Sequence, residues 1–327
     1  MRIGLLTGGG DCPGLNAAIR AVVKCAENNG DEVVGFHHGW RGVAEGESAA
    51  LTVADTRGLL QTGGTILRTA LYHPETHEGG TEAVLATFER ERLDAFVVIG
   101  GDGTLGAALK LAGLGIPLVG VAKTIDNDVS GTERCIGFDT AVATAAEAID
   151  RVQTTGESHD RLMVVEVMGR TSGWLAVCAG IAAGADALCL PEEPVELDQL
   201  ARAITRRHDA GSTSSVVVVA EGALHDQPSE GSAGALIANG LAERTGFETR
   251  LTVLGHIQRG GPPIASDRLL ASNCAITAMH AVHSGAFGTL VRASDVSTGL
   301  VTLDVVASGP RPVPRALLDV ARELTVH

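Results

Sequence analysis

The sequence predicts an α/β protein built around mainly parallel sheets, and three observations carry that prediction. Hydrophobic residues make up 45% of the 327 residues but aromatics only 3%, so the core must be assembled from Val, Ile, Leu and Ala. The 42 glycines supply tight junctions between strand, loop and helix. Short β-branched runs, several of them apolar at successive positions, alternate with amphipathic stretches, as expected of central strands covered by helices on both faces. The length favours about two domains and suffices for a core without metal or disulfide staples, but composition alone places no boundary.

The elements follow in order. The start, MRIGLLTGGG, has too short an apolar run for a signal peptide and reads as strand Ile3–Leu6 entering a glycine loop. A helix is expected over Asn16–Glu27, strands over Glu32–Phe36 and Ala95–Ile99, and a helix over Gly106–Leu111. Strand Leu118–Val121, helix Thr140–Arg151 and strands Leu162–Val167 and Val216–Ala220 complete the pattern. Gly173–Leu190, the longest apolar stretch, carries Asp186 and reads as a buried helix rather than a membrane span. Gly211–Ser215 reads as a surface turn, and the polar Leu224–Gly234, with Pro228, as an exposed, mobile loop.

Composition also excludes partners. The net charge of −14 disfavours nucleic acid, which is bound through clustered Lys and Arg, but it leaves room for a local basic pocket and a small phosphorylated ligand. Cys12, Cys25, Cys135, Cys178, Cys189 and Cys274 form no CxxC pair and read as buried thiols of a soluble, cytoplasmic protein without a membrane partner.

In parallel sheets the loops after the strands bind ligands. The first, GGGDCPGLNAAIR (Gly8–Arg20), lets backbone approach an anion at a helix start. The second, GGDGTLG (Gly100–Gly106), formally satisfies GxGxxG, with Asp126 roughly 20 residues on. Its internal Asp102 would repel a pyrophosphate unless a cation intervened, so Asp102 reads as a Mg²⁺ contact beside a phosphate rather than part of a dinucleotide site. The third, AKTIDNDVSGT (Ala122–Thr132), sets Asp126 and Asp128 beside Lys123 and Thr124. That suits a base for an attacking hydroxyl with donors for a phosphoryl group, and it equally suits an Asx-turn. Further on, VVEVMGRTSGW exposes Arg170, and TVLGHIQRGG carries His256 and Arg259 with Arg250 just upstream. With Arg161 these arginines form a set of strand-end candidates for phosphate recognition.

Together GGGDCPGLNAAIR, GGDGT, TIDND, VMGR and LGHIQRGG, in this order, resemble the bacterial 6-phosphofructokinase family from Met1 to about Arg268. The resemblance implies two similar three-layer α/β domains with mainly parallel sheets and the active site in the cleft between them. Residues 1–137 with about 258–306 would hold the phosphoryl donor, and 138–257 with about 307–327 the sugar phosphate. It implies Asp126 as general base and Thr124 and Asp128 as positioning residues, with Arg170 also catalytic. Met168, Gly169, Arg170, Glu221, His256 and Arg259 would contact the sugar phosphate. Arg161 and Arg250 would reach a neighbouring subunit's site, usually within a homotetramer.

On the donor side the resemblance implies Gly10, Gly101, Asp102, Gly103, Thr104 and Lys123, with Mg²⁺ at Asp102. Gly103 implies room for ATP where pyrophosphate users carry an acidic residue, whereas Lys123 is of the pyrophosphate type. The chain departs from the family at GGTILRTALYHPE (Gly63–Glu75), where Leu71 replaces an arginine and Arg68 a glycine. Losing one such cation would cost on the order of 10²–10³ in rate. Arg20 and Lys24 match effector-site cations, but Val53, Gln153, Gly211, Thr213 and Ser214 replace others, which implies a weak response to effectors. Alternatives to ATP-dependent phosphorylation of fructose 6-phosphate are a pyrophosphate-dependent enzyme and a catalytically impaired sugar-phosphate-binding homologue.

Overall fold

Strands covered on both faces need apolar residues throughout, and that is where the sheet centres lie. The computed structural model describes residues 1–224, 231–295 and 297–326. In chain order these form β1 (Arg2–Thr7), α1 (Leu15–Asn29), β2 (Glu32–Phe36), α2 (Trp40–Glu45), β3 (Ser48–Leu51), α3 (Gly80–Arg90) and β4 (Ala95–Gly100). There follow α4 (Asp102–Gly113), β5 (Leu118–Ala122), α5 (Phe138–His159), β6 (Leu162–Val167), α6 (Trp174–Ala182), β7 (Ala187–Cys189), α7 (Leu197–Asp209) and β8 (Ser215–Ala220). The chain ends with α8 (Ala233–Thr245), β9 (Thr249–Val253), α9 (Ala265–His283), β10 (Thr289–Ala293), β11 (Thr298–Thr302) and α10 (Arg315–Leu324). Contacts divide it into two units, Met1–Thr140 with Arg259–Arg311 and Ala141–Gln258 with Pro312–His327.

The first unit holds a seven-stranded sheet in the order β11-β10-β5-β4-β1-β2-β3. Its inner pairs are parallel, and β2–β3 and β10–β11 at the two edges are antiparallel. From β1 the chain moves to β2, and from β4 in the opposite direction to β5, so right-handed crossovers put α1 and α4 on opposite faces. α1 packs on α9. On the α4 side, Phe96 is fully buried, with the rings of Phe36, Trp40 and Phe88 each 5.7 Å from its own.

The second unit holds a four-stranded, fully parallel sheet in the order β7-β8-β6-β9. The steps β7→β8 and β8→β9 run the same way, and accordingly α7 and α8 pack together, while α10 packs on α6. The core here is aliphatic, from Leu162 and Val164 through Val217 and Val219 to Ile237 and Leu241. The fold class is thus α/β with mainly parallel sheets.

Several local expectations need correction. Gly173–Leu190 is not one helix: α6 ends at Ala182 and the chain turns into β7. Asp186 makes that turn, because its carboxylate accepts from the Val216 amide (2.8 Å) and pairs with Arg207 (2.6 Å). Cys25 and Cys178 are half-buried, whereas the other four thiols are buried. Ser215 is a buried strand residue rather than the end of a surface turn. Of the loop expected at Leu224–Gly234, His225–Glu230 lie outside the described residues, and α8 already begins at Ala233, capped by the Ser232 hydroxyl. No helix among the described residues is long and apolar enough to cross a membrane.

Candidate active site

In the first unit the direction of winding reverses between β1 and β4, and ligands bind at the carboxyl ends of strands at such a point. Three loops leave there side by side: Gly8 onward from β1, Gly101 from β4 and Lys123 from β5. They are laced to the sheet and to each other by Gly8 N–H to Ile99 O (3.0 Å), Gly9 N–H to Ala70 O (3.2 Å) and Lys123 N–H to Gly100 O (3.0 Å).

Asp102 is not in a loop but is the first residue of α4, where the positive helix end favours negative charge such as its carboxylate. The indole N–H of buried Trp40 donates to the Thr104 carbonyl (3.0 Å) and fixes that first turn. Gly103 lies exposed beside it, and a Cβ there would come 2.4 Å from His73 Cε1. The space that Gly103 leaves is therefore bounded by an imidazole, which nothing in the sequence had signalled. Glu75 in the same turn as His73 pairs with Lys110 of α4 (2.8 Å), which holds His73 in place.

Thr124–Asp128 form a buried turn. The Thr124 hydroxyl accepts from the Asp126 amide (3.1 Å), and Asp126 and Asp128 are 5% and 7% exposed. Asn127, overlooked at first, makes the turn: its φ is 53°, its Oδ1 accepts from Cys135 N–H (2.9 Å) and its Nδ2 donates to the Glu133 carbonyl (3.3 Å). Arg311, also overlooked, clamps the far side through its backbone N–H to Asp128 O (2.6 Å) and its guanidinium to Asn127 O (2.8 Å). An Asn in the left-handed region was the available sequence signal; Arg311, so distant in sequence, gave none.

Lys123 is 3% exposed and its ammonium donates to the Gly10 carbonyl. Burial lowers its pKa, Arg259 adds to that, and Asp126 opposes it. The buried Cys12 thiol is pushed up to about 12, so it stays protonated and is no nucleophile. Arg259, expected at the sugar phosphate, lies with its guanidinium against the Cα of Gly10: a Cβ there would be 1.9 Å from Nη1. Leu71 is 75% exposed. Arg68 is exposed at φ 56°, its carbonyl accepting from Thr7 on β1 (2.9 Å).

In the second unit β6 delivers Met168, Gly169 and Arg170, and β8 delivers Glu221, at neighbouring carboxyl ends. Glu221 Oε1 accepts from the amides of Gly169 (3.2 Å) and Arg170 (2.7 Å), so one carboxylate shapes the loop and points the exposed Arg170, itself at φ 53°. Buried Gln258, another residue the sequence reading missed, accepts from Met168 N–H (3.4 Å) and donates to Gly255 O (2.9 Å), bracing the exposed His256 in the turn after β9. Arg161 and Arg250 do not join this group. Arg250 sits within β9, beside Met163, and Arg161 just before β6, so both are at the amino ends of the strands. Six residues of β6 separate them from Arg170, about 20 Å at the usual strand rise. Both instead pair with Glu248, Arg161 at 2.8 Å.

The model of one protein family, phosphofructokinase, matches residues 2–282. A pyrophosphate–fructose 6-phosphate 1-phosphotransferase of Amycolatopsis methanolica is 48% identical over 314 residues, covering 90% of this chain and 92% of its own. ATP-dependent 6-phosphofructokinase 3 of Streptomyces coelicolor is 45% identical over 334 residues, 97% of each chain. Among solved structures, phosphofructokinase from Saccharomyces cerevisiae superposes with a TM-score of 0.85 at 32% identity over 99% of this chain. This chain spans about half, 48%, of the yeast one.

Proposed function

The chain belongs to the phosphofructokinase family, and from that premise we propose that it is a 6-phosphofructokinase, moving the γ-phosphoryl of ATP onto the 1-hydroxyl of fructose 6-phosphate. The observation that carries this reading is the convergence of three strand-end segments, Gly8–Gly10, Gly101–Thr104 at the start of α4, and Lys123–Asp128, at the switch point of one sheet. In phosphoryl transfer the protein's task is to position the reactants and offset charge.

Asp126 takes the proton of the attacking hydroxyl as its oxygen bonds to phosphorus; Thr124 and Asp128 flank it in the same braced turn. Gly10, Gly101, Gly103 and Thr104 give the donor phosphates backbone to lie on, at the start of α4. No group of three or more metal-ligating side chains gathers among the described residues. A single carboxylate, Asp102, fits Mg²⁺, which is held by one or two carboxylates and otherwise by water and substrate phosphates. Bound there, Mg²⁺ would neutralise charge on the donor. Met168, Gly169, Arg170, Glu221 and His256 are assigned to the sugar phosphate, and Arg170 also to the group in transit. Arg161 and Arg250 are assigned to the 6-phosphate in a neighbouring copy's site.

A second reading, pyrophosphate as donor, draws on buried Lys123 at Gly10, on His73 beside Gly103, and on the Amycolatopsis relative. Assays of the purified protein with fructose 6-phosphate and each donor separate the two. The Asp126→Asn variant should keep its affinity for fructose 6-phosphate while kcat drops about 10²–10⁴-fold. A kcat within about threefold of wild type would remove Asp126 as the base.

A further inference from the structure

Two cations meet at one glycine of the β1 loop. Lys123 Nζ donates to the Gly10 carbonyl, and a Cβ on Gly9 would lie 3.5 Å from it. The guanidinium of Arg259 lies so close to the Gly10 Cα that a side chain at position 10 would have to displace it. Nε of Arg259 is buried and finds no hydrogen-bond partner among the described residues. The two are close enough that Arg259 depresses the Lys123 pKa. Like charges side by side in a half-buried site repel, and an anion between them relieves both the repulsion and the unmade bond. The loop they flank lies at a strand end, where an anionic phosphate would sit. Exposed Leu71 offers that phosphate no charge.

We propose that Arg259 is a catalytic residue on the donor side, which with Lys123 grips the phosphoryl group in transit and supplies the cation that position 71 lacks. This rests on the phosphofructokinase reading. As the acceptor hydroxyl gives its proton to Asp126, its oxygen bonds to phosphorus and the bond from phosphorus to the bridging oxygen breaks. The electron pair leaves with that oxygen on ADP, and Arg259 meets the charge spread over the transferring oxygens.

Steady-state kinetics of Arg259→Gln and Arg259→Lys, with calorimetric binding of fructose 6-phosphate, test this. In Arg259→Gln kcat falls about 10²–10³-fold while affinity for fructose 6-phosphate stays within about threefold. Arg259→Lys, which keeps the charge if the Gln variant fails to fold, loses less kcat and leaves sugar-phosphate affinity equally unchanged. Adding Leu71→Arg to Arg259→Gln recovers about tenfold or more of kcat. The opposite split overturns the assignment: a loss of fructose 6-phosphate affinity of about tenfold or more with kcat near wild type makes Arg259 an acceptor contact. Lack of turnover by the wild-type protein with either donor would instead remove the parent reading, and this assignment with it.

Discussion

A pair of aspartates two apart can be a turn or a piece of chemistry, and at Thr124–Asp128 the turn is braced by residues other than the pair, Thr124 and Asn127 among them. The side chains of Thr124 and Asn127 supply hydrogen bonds that hold the turn in which Asp126, the proposed base, sits. Asn127→Ala would strand the Cys135 amide in a buried place and should cost about 1–3 kcal/mol in chemical denaturation, with a fall in kcat because the turn slackens. Residue types at the site were legible because glycines, carboxylates and arginines are conspicuous against an aliphatic background. Side-chain direction was not. Gly103 had implied open space for a nucleotide, whereas His73, thirty positions earlier, borders that space. Gly103→Ala should therefore raise the donor KM about tenfold, and adding His73→Ala should bring it back to within about threefold. Equal effects of Gly103→Ala in both backgrounds would show that the imidazole does not set the room there.

At the scale of elements the strands legible in the sequence were those buried on both faces: β1, β2, β4, β5, β6 and β8. Four of the overlooked ones, β3, β9, β10 and β11, lie at or near sheet edges, and β3, β9 and β11 are half exposed, so no unbroken apolar run announces them. Contacts between elements distant in sequence were equally silent. Asp31, just after α1, accepts from the amino terminus before β1 (2.7 Å) and from His283 at the end of α9 (2.6 Å), tying three elements together. Burial alone would raise its pKa; the bonds to the amine and to His283 outweigh that and hold the carboxyl below its usual range. A depressed folded-state pKa means stability that is complete above the unfolded pKa of about 4 and lost as pH falls through the folded value. Asp31→Asn should thus lower Tm at pH 7, by about 1–2 kcal/mol of stability. The gap from wild type should close as the pH is taken below about 4, and a gap that persists in acid would mean the pairs are not its source.

At the scale of the whole molecule one chain presents two arginines with no use at its own sugar-phosphate loop. Arg161 and Arg250 stand at the amino ends of β6 and β9, a strand's length from Arg170, and share Glu248 as partner. The Arg250–Glu248 pair is exposed and so weak, and a phosphate could take Arg250 from Glu248 at little cost, whereas Arg161 is half-buried. Nothing in the spacing of Arg161 and Arg250 distinguishes them from Arg170, and it is the resemblance alone that sends them to another subunit. If a site draws its base from one copy and these arginines from the next, two inactive variants should repair each other. Asp126→Asn keeps both arginines and Arg250→Ala keeps the base, so when mixed subunits reassemble at random, about a quarter of the sites hold an intact set of both. Activity rising from near zero to about that fraction, after the two proteins are mixed, denatured and refolded together, is the expected result. If the mixture stays as inactive as its components while refolded wild type recovers, each site is built from a single chain, and Arg161 and Arg250 belong to the surface.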